Sequence, residues 1–203
     1  MSATAEEQAV ASVWNVANAL TTLRIVLVPF FAIALLYHHG HSDGWRWIAY
    51  AIFVVAMLTD KIDGDLARKH GLVTNFGKIA DPIADKAITG MAFIGLSIIG
   101  ELWWWITVIV LLREWSVTLA RLSIARRVVL AANWSGKAKT MAQALALGGF
   151  VAPFKHLPDG WHVPGLVVWW VSAALMTMAV VLTVTSGVEF VRDASRQLRG
   201  DES

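Results

Sequence analysis

The sequence predicts an all-α integral membrane protein with six transmembrane helices, preceded by a short interfacial helix. Its composition is far more apolar than that of a soluble domain: 57% of the 203 residues are hydrophobic and 16% are charged, and the mean hydropathy is +0.58. The apolar residues occur in runs of about 20, the length that an α-helix needs to cross a bilayer. The sequence contains no cysteine, which excludes disulfides, thiolate zinc sites and cysteine nucleophiles.

The amino-terminal third of the chain predicts the interfacial helix and two spans. Residues 13–23 carry tryptophan, valine and leucine together with asparagine and threonine, a mixture typical of a helix that lies in the membrane interface. Residues 24–38 continue as an apolar run and form the first span. The second span covers residues 46–69. It begins as an apolar run, and we extend it into a charged segment because the spacing of the aspartates there fits a helix.

The third and fourth spans flank a tight turn. The third span covers residues 82–99. We expect Pro82 in its first turn, where a backbone N–H would have no partner within the helix, and Asp81 as the N-cap. Gly100 marks the turn that follows. The fourth span covers residues 102–125.

The fifth and sixth spans cover residues 137–154 and 163–187, and a loop rich in proline and glycine separates them. The whole chain, residues 1–203, is therefore expected to form one membrane domain. All but two of the 17 lysine and arginine residues, Arg46 and Lys155, fall at one end of the predicted spans. The positive-inside rule places that end, with both termini, in the cytoplasm.

Four aspartates form the most unusual feature of the sequence. Asp60 and Asp63 are three residues apart and Asp81 and Asp85 are four apart, so on helices each pair would lie on one face, one turn apart. Four carboxylates brought together would repel one another unless hard cations such as Mg²⁺ or Mn²⁺ lay between them. The spacing therefore predicts a metal site built from carboxylate oxygens.

The same segment carries a longer pattern, D-x-x-D-G-x-x-A-R, then eight residues, then G-x-x-x-D-x-x-x-D. The sequence matches it at every fixed position: Asp60, Asp63, Gly64, Ala67, Arg68, Gly77, Asp81 and Asp85. In this motif and in the six-span layout, the chain resembles the CDP-alcohol phosphatidyltransferase family. The resemblance implies an enzyme that moves a phosphatidyl group from a CDP-linked lipid to an alcohol, releases CMP and uses two divalent cations.

The resemblance also implies a role for each motif residue. Asp60, Asp63 and Asp81 are expected to bind the metal ions, and Asp85 to share a metal ion or to act as the catalytic base that accepts the proton of the attacking hydroxyl. The small residues would let the cytidine approach the helix backbone, and the arginine would offer a cation to phosphate. The residues expected to bind the CDP-lipid are Asp63, Gly64, Ala67, Arg68 and Gly77.

Further segments resemble phosphatidylglycerophosphate synthases within that family. They are N-x-A-N-x-L-T-x-x-R at residues 15–24, the consecutive Arg113 and Glu114, and G-K-x-K-T-x-x-Q at residues 136–143. Ala17 departs from the proline that is usual at its position. This likeness implies that CDP-diacylglycerol is the donor and glycerol 3-phosphate the acceptor.

An anionic acceptor requires cations that would otherwise be costly beside an apolar span. Arg113 and Arg121 are eight residues apart and so share a helix face. An ion pair of Arg113 with Glu114 or Glu101 remains an alternative, and Lys137 and Lys139 could serve only to orient the chain. The residues expected to bind the acceptor phosphate are Arg24, Arg113, Arg121, Lys137 and Lys139.

Other functions remain open at this point. A phosphatidylinositol phosphate synthase would also need cations for its phosphorylated acceptor, whereas a cardiolipin synthase would take phosphatidylglycerol and need fewer. A divalent-cation transporter would carry its carboxylates near the bilayer midplane, often in two related halves, but here the acids cluster at the cytoplasmic end. The resemblance further implies a homodimer among membrane lipids in a bacterial plasma membrane, without a nucleic-acid partner.

Overall fold

The computed structural model describes the backbone of residues 16–70, 75–124 and 134–200, and the side chains of residues 18–60, 83–119 and 139–187. Within these ranges the chain forms six α-helices and no strand, which confirms the all-α prediction. The helices are α1 (Val16–Leu36), α2 (Asp43–His70), α3 (Asn75–Ile98), α4 (Trp104–Ile124), α5 (Trp134–Val151) and α6 (His162–Gly200). Short 3-10 turns, Tyr37–Gly40 and Phe154–His156, follow α1 and α5.

Two of the described segments are long and apolar enough to cross a membrane. They are Asn18–Gly40, which contains most of α1, and His162–Gly187 in α6. The other four spans stay a prediction, because their helices carry more charged residues. Several of those charges lie at the ends that carry the aspartate motif.

The first helix differs from the prediction of an interfacial helix followed by a separate span. A single α-helix covers both parts from Val16 onward, and the preceding residues 13–15 lie outside the described part. Most of the polar side chains that suggested a membrane interface face the protein interior instead, since Asn18, Thr21 and Arg24 are buried, although Thr22 is exposed. They mark a packing surface against other helices, so a helix break after residue 23 is unnecessary.

The start of α3 also differs from the prediction. The helix begins at Asn75, so Asp81 and Pro82 lie inside it, and Asp81 is not the N-cap. A proline inside a helix removes one backbone hydrogen bond, but helices of membrane proteins tolerate this where neighbouring groups satisfy the freed carbonyl. The Asp-Pro signal was therefore misleading at this point. At the other end of the chain, α6 continues past residue 187 into the charged tail.

The core lies where α1, α2, α3 and α5 pack together. Phe31, Phe53, Phe93 and Leu147 are fully buried there. Helices α1 and α3 approach so closely that a Cβ atom on Gly95 would lie 2.6 Å from Leu35 Cδ2. Small residues permit such close crossings between helices in membranes, and this crossing fixes α1 beside the helix that carries Asp85.

A group of charged side chains, the Glu101 clasp, joins the helices at the end opposite the aspartate motif. It consists of Glu101, Arg46 and Lys155. Arg46 Nη1 and Lys155 Nζ each lie 3.0 Å from a different oxygen of the Glu101 carboxylate. Arg46 also donates to the last carbonyls of α5, with Nε 3.0 Å from the oxygen of Val151 and Nη2 bonded to that of Phe150. Arg46 and Lys155, the two cations at the opposite end of the predicted spans from the other lysines and arginines, thus both bind Glu101.

The clasp determines how Glu101 titrates. Burial raises the pKa of the Glu101 carboxyl, but the hydrogen bond from Lys155 and the charge of Arg46 together outweigh that effect. The pKa of Glu101 therefore lies below its ordinary value of 4.5. A carboxyl whose pKa is lowered by folding stabilises the folded state above its ordinary pKa, and this contribution is lost as the pH falls through the lowered value.

We expect Glu101→Gln to destabilise the protein at pH 7 by about 1 to 3 kcal/mol, because it replaces charge-assisted hydrogen bonds with neutral ones. The difference between variant and wild type should shrink as the pH falls below about 4.5, because the carboxyl of the unfolded wild-type chain is protonated there before that of the folded protein. Unfolding in mixed detergent micelles at several pH values measures both effects. A difference that stays constant down to pH 3 would contradict this explanation.

Candidate active site

The two motif aspartates with described side chains come from different helices and lie near each other. Asp60 is near the carboxyl-terminal end of α2, and Asp85 is in the first half of α3. The Asp85 carboxylate lies within electrostatic reach of Asp60, Glu114 and Arg24. Both aspartates are partly open to solvent, with 43% of the Asp60 side chain and 28% of the Asp85 side chain exposed. The arrangement leaves carboxylate oxygens accessible to a ligand.

Arg24 of α1 forms an ion pair with Asp60 of α2. Its Nη1 atom donates to Asp60 Oδ1, and the arginine side chain is fully buried. A guanidinium in such a position needs a carboxylate to offset its desolvation, and it fixes the orientation of that carboxylate in return. Sequence reasoning assigned Arg24 to the acceptor phosphate, whereas the structure places it against the first aspartate of the motif.

A second charged group, the Glu114 bridge, joins three helices beside Asp85. It consists of Glu114 of α4, Lys86 of α3 and Lys139 of α5. Lys139 Nζ lies 2.6 Å from Glu114 Oε1, and Lys86 Nζ donates to Glu114 Oε2. Glu114 and Lys139 are buried, with side chains 8% and 5% exposed, whereas the Lys86 side chain is 20% exposed. The bridge brings two cations to the motif end of the bundle.

Lys86 links this bridge to the motif. It directly follows Asp85 in the chain, and its Nζ atom lies 3.7 Å from Asp85 Oδ2. Charges therefore alternate in sign from Asp85 through Lys86 and Glu114 to Lys139. Sequence reasoning counted Lys86 only as a cation on the cytoplasmic side. A lysine inside a predicted span and next to a motif aspartate was the signal that could have identified it.

Arg113 contacts the last helix. Its Nη2 atom donates to Ser186 Oγ of α6 at 2.8 Å, and Ser186 Oγ donates in turn to the carbonyl of Leu182 at 2.5 Å. The guanidinium is close enough to Lys139 to act on it electrostatically. In the described side chains, Glu114 pairs with Lys86 and Lys139. Arg113 and Lys139 thus place two positive charges near each other beside Glu114.

The remaining predicted site residues lie outside the described side chains, although their backbones are helical. Asp63 shares α2 with Asp60, and Asp81 shares α3 with Asp85, so each aspartate pair is spaced by one helical turn. The other residues in this position are Gly64, Ala67 and Arg68 in α2, Gly77 in α3, Arg121 in α4 and Lys137 in α5.

The donor chemistry of the motif fits a divalent cation. Asp60 and Asp85 supply carboxylate oxygens, the ligand type that Mg²⁺ and Mn²⁺ prefer. Asp63 and Asp81 stand one helical turn from them and would add the same donor type. Among the described residues alone, no group of three or more histidine, aspartate or glutamate side chains could hold a metal ion.

Comparison with known proteins gives an independent view of the whole chain. The family model for CDP-alcohol phosphatidyltransferase matches residues 14–185. A "Probable phosphatidylglycerophosphate synthase" of Mycobacterium tuberculosis is 48% identical over 94% of this chain and 86% of the relative. Proteins named "CDP-diacylglycerol--glycerol-3-phosphate 3-phosphatidyltransferase" are 36% identical in Bacillus subtilis, over 87% of this chain and 93% of the relative, and 32% identical in Shigella flexneri, over 91% and 97%.

Proposed function

The chain belongs to the CDP-alcohol phosphatidyltransferase family, and on that premise we propose that it transfers the phosphatidyl group of CDP-diacylglycerol to sn-glycerol 3-phosphate. The products are phosphatidylglycerol phosphate and CMP. The observation that supports the proposal is that Asp60 and Asp85 lie near each other, at the end of the bundle that also holds the buried cations Arg24 and Lys139. The choice of acceptor is supported by the similarity, over 94% of the chain, to a relative named phosphatidylglycerophosphate synthase.

The four motif aspartates would hold two Mg²⁺ or Mn²⁺ ions. When bound, such ions would supply positive charge to the phosphates of the donor and to the leaving phosphate. The role of Arg24 is to hold the Asp60 carboxylate from the buried side, a role that its complete burial favours. An Asp85 carboxylate oxygen accepts the proton of the attacking hydroxyl, and its partial exposure is consistent with access by the acceptor.

The donor would lie along the motif segment of α2 and α3. Gly64, Ala67 and Gly77 have little or no side chain and allow the cytidine to approach the helix backbone. Arg68 supplies a fixed cation to the phosphates, and Asp63 contacts both the donor and the metal ions. The basis for this assignment is the match of these residues to the family motif.

The acceptor phosphate would bind at the lysine and arginine side chains of α4 and α5. Ser186 orients the Arg113 guanidinium without adding a negative charge. Lys139 is buried and bonded to Glu114, so it contributes mainly through its charge unless the acceptor displaces that carboxylate. Arg121 and Lys137 lie on the same two helices, nearer their motif ends, and complete the proposed set. Arg24 would act on the acceptor through the Asp60 carboxylate to which it donates a hydrogen bond.

The setting of this reaction would be a bacterial plasma membrane. Two helices that are long and apolar enough to span it support an integral membrane protein. We further propose six crossings, with the aspartate motif and both termini on the cytoplasmic side, because nearly all lysine and arginine residues fall at that end. A homodimer is proposed from the family resemblance alone.

The proposed function is tested by offering purified protein CDP-diacylglycerol and Mg²⁺ or Mn²⁺ with one acceptor at a time. The acceptors are glycerol 3-phosphate, inositol 1-phosphate, serine and phosphatidylglycerol, and CMP release is measured. We expect release with glycerol 3-phosphate and little with the others. Release driven best by inositol 1-phosphate or phosphatidylglycerol would assign the protein to a sibling activity within the family.

We expect Asp81→Asn to abolish CMP release at any practical metal concentration, because it removes a ligand and a negative charge from a shared two-metal site. Asp65→Asn is the matched control. This residue lies in the same motif segment but outside the fixed positions, and the substitution should leave most of the activity. Turnover of Asp81→Asn close to that of wild type would contradict the two-metal proposal.

We expect Arg113→Gln to raise the KM for glycerol 3-phosphate by about tenfold to a hundredfold, since a charge-assisted hydrogen bond contributes roughly 1.5 to 3 kcal/mol. The KM for CDP-diacylglycerol should change little. Lys155→Gln removes a cation at the opposite end of the bundle and should leave both constants unchanged. If only the constant for CDP-diacylglycerol rose in Arg113→Gln, Arg113 would belong to the donor site.

A further inference from the structure

The Glu114 bridge leaves Lys86 between two carboxylates, and the two contacts differ. The Lys86 ammonium is hydrogen-bonded to Glu114 Oε2, whereas it lies 3.7 Å from Asp85 Oδ2. The longer distance exceeds the range of a charge-assisted hydrogen bond, about 2.7 to 2.9 Å. The Lys86 ammonium is therefore hydrogen-bonded to the Glu114 carboxylate of α4 and lies near the Asp85 carboxylate without bonding to it.

From this asymmetry we propose that Glu114 is a positioning residue that keeps the Lys86 ammonium off Asp85. An Asp85 oxygen in a direct hydrogen bond with Lys86 would be occupied by a cation fixed to its own helix. With Lys86 drawn to Glu114, the Asp85 carboxylate stays available to a divalent cation or to the proton of the attacking hydroxyl. The inference rests on the proposed function, in which Asp85 serves these roles.

The physical basis is competition between the two carboxylates for one flexible cation. The lysine side chain has a four-carbon stem and three donors, so it readily turns between nearby acceptors. Glu114 is the stronger partner because its side chain is 8% exposed, compared with 28% for Asp85, and charges interact more strongly where less water screens them. If Glu114 lost its charge, the nearest acid to the ammonium among the described side chains would be Asp85.

Lys139 supports the same arrangement from the other side. It bonds the second oxygen of Glu114 at 2.6 Å, so the carboxylate is held between α3 and α5 and keeps Oε2 directed at Lys86. A single buried carboxylate thus sets the position of two ammonium groups. Mutation of groups that orient metal ligands typically lowers metal affinity by about tenfold to a hundredfold.

The test measures Mn²⁺ affinity of the full-length protein in detergent micelles by electron paramagnetic resonance, without either substrate. We expect Glu114→Gln to lower the affinity by about tenfold to a hundredfold, because Lys86 then pairs with Asp85. In the double variant Lys86→Gln with Glu114→Gln, the competing ammonium is absent, and the affinity should return to within about threefold of wild type.

Glu101→Gln provides the matched control. Glu101 also bridges two cations, Arg46 and Lys155, in a partly buried site, but at the opposite end of the bundle. Its loss should lower stability and leave Mn²⁺ affinity unchanged. The single variant Lys86→Gln tests the inference if Glu114→Gln does not fold. Because Lys86→Gln removes a positive charge beside Asp85, it should maintain or raise the Mn²⁺ affinity, and a tenfold fall would overturn the inference.

Two further outcomes would also overturn it. The first is a wild-type Mn²⁺ affinity in Glu114→Gln. The second is an equal loss of Mn²⁺ affinity in Glu114→Gln and in the double variant, which would mean that Glu114 acts only by holding the helices together. Failure of the proposed function gives a different result, because wild-type protein would then release no CMP with glycerol 3-phosphate whatever its Mn²⁺ affinity.

Discussion

Charge compensation between helices governs the end of the bundle that carries the aspartate motif. Arg24 of α1 is fully buried and pairs with Asp60 of α2, and Glu114 of α4 is buried between Lys86 of α3 and Lys139 of α5. The buried members, Arg24, Glu114 and Lys139, could not remain charged without their partners, since desolvation of an isolated ion costs several kcal/mol. The Arg24–Asp60 pair therefore joins α1 to α2, and the Glu114 bridge joins α3, α4 and α5 beside Asp85.

The two ends of the bundle use the same chemistry for different purposes. At one end, Glu101 holds Arg46 and Lys155, and Arg46 also binds the last carbonyls of α5, so every charge serves to join helices. At the other end, Glu114 holds Lys86 and Lys139, but Asp60 and Asp85 remain partly exposed. Partly exposed carboxylates with cations beside them suit a site that binds metal ions and phosphates.

The sequence was most informative where its pattern was long or periodic. The apolar runs identified the helices, and the fixed spacing of the aspartates identified the family, which the match over residues 14–185 confirms. Predictions from short local signals were less successful. Asn18 and Thr21 suggested a membrane interface but are buried, and Asp81 with Pro82 suggested a helix start but lies inside α3. In both cases contacts with other helices decide the outcome, and a local signal contains no information about them.

The charged partners could not be predicted for the same reason. Glu114 and Lys86 are 28 residues apart, and no short-range pattern indicates that their helices meet. The sequence offered Glu114 or Glu101 only as alternative ion-pair partners of Arg113, and neighbours on a helix point in different directions. The proximity of Asp60 and Asp85 was expected from the motif, whereas the position of Lys86 between two carboxylates emerges only from the structure.

The central claim, that Asp60 and Asp85 act together at one divalent-cation site, is tested most directly by counting the Mn²⁺ ions bound per chain. We expect two ions in wild type and fewer in both Asp60→Asn and Asp85→Asn, because each removes a shared ligand. Asp43→Asn is the control, since Asp43 pairs with His156 at the opposite end of the bundle. Wild-type stoichiometry and affinity in Asp60→Asn and Asp85→Asn would contradict the account.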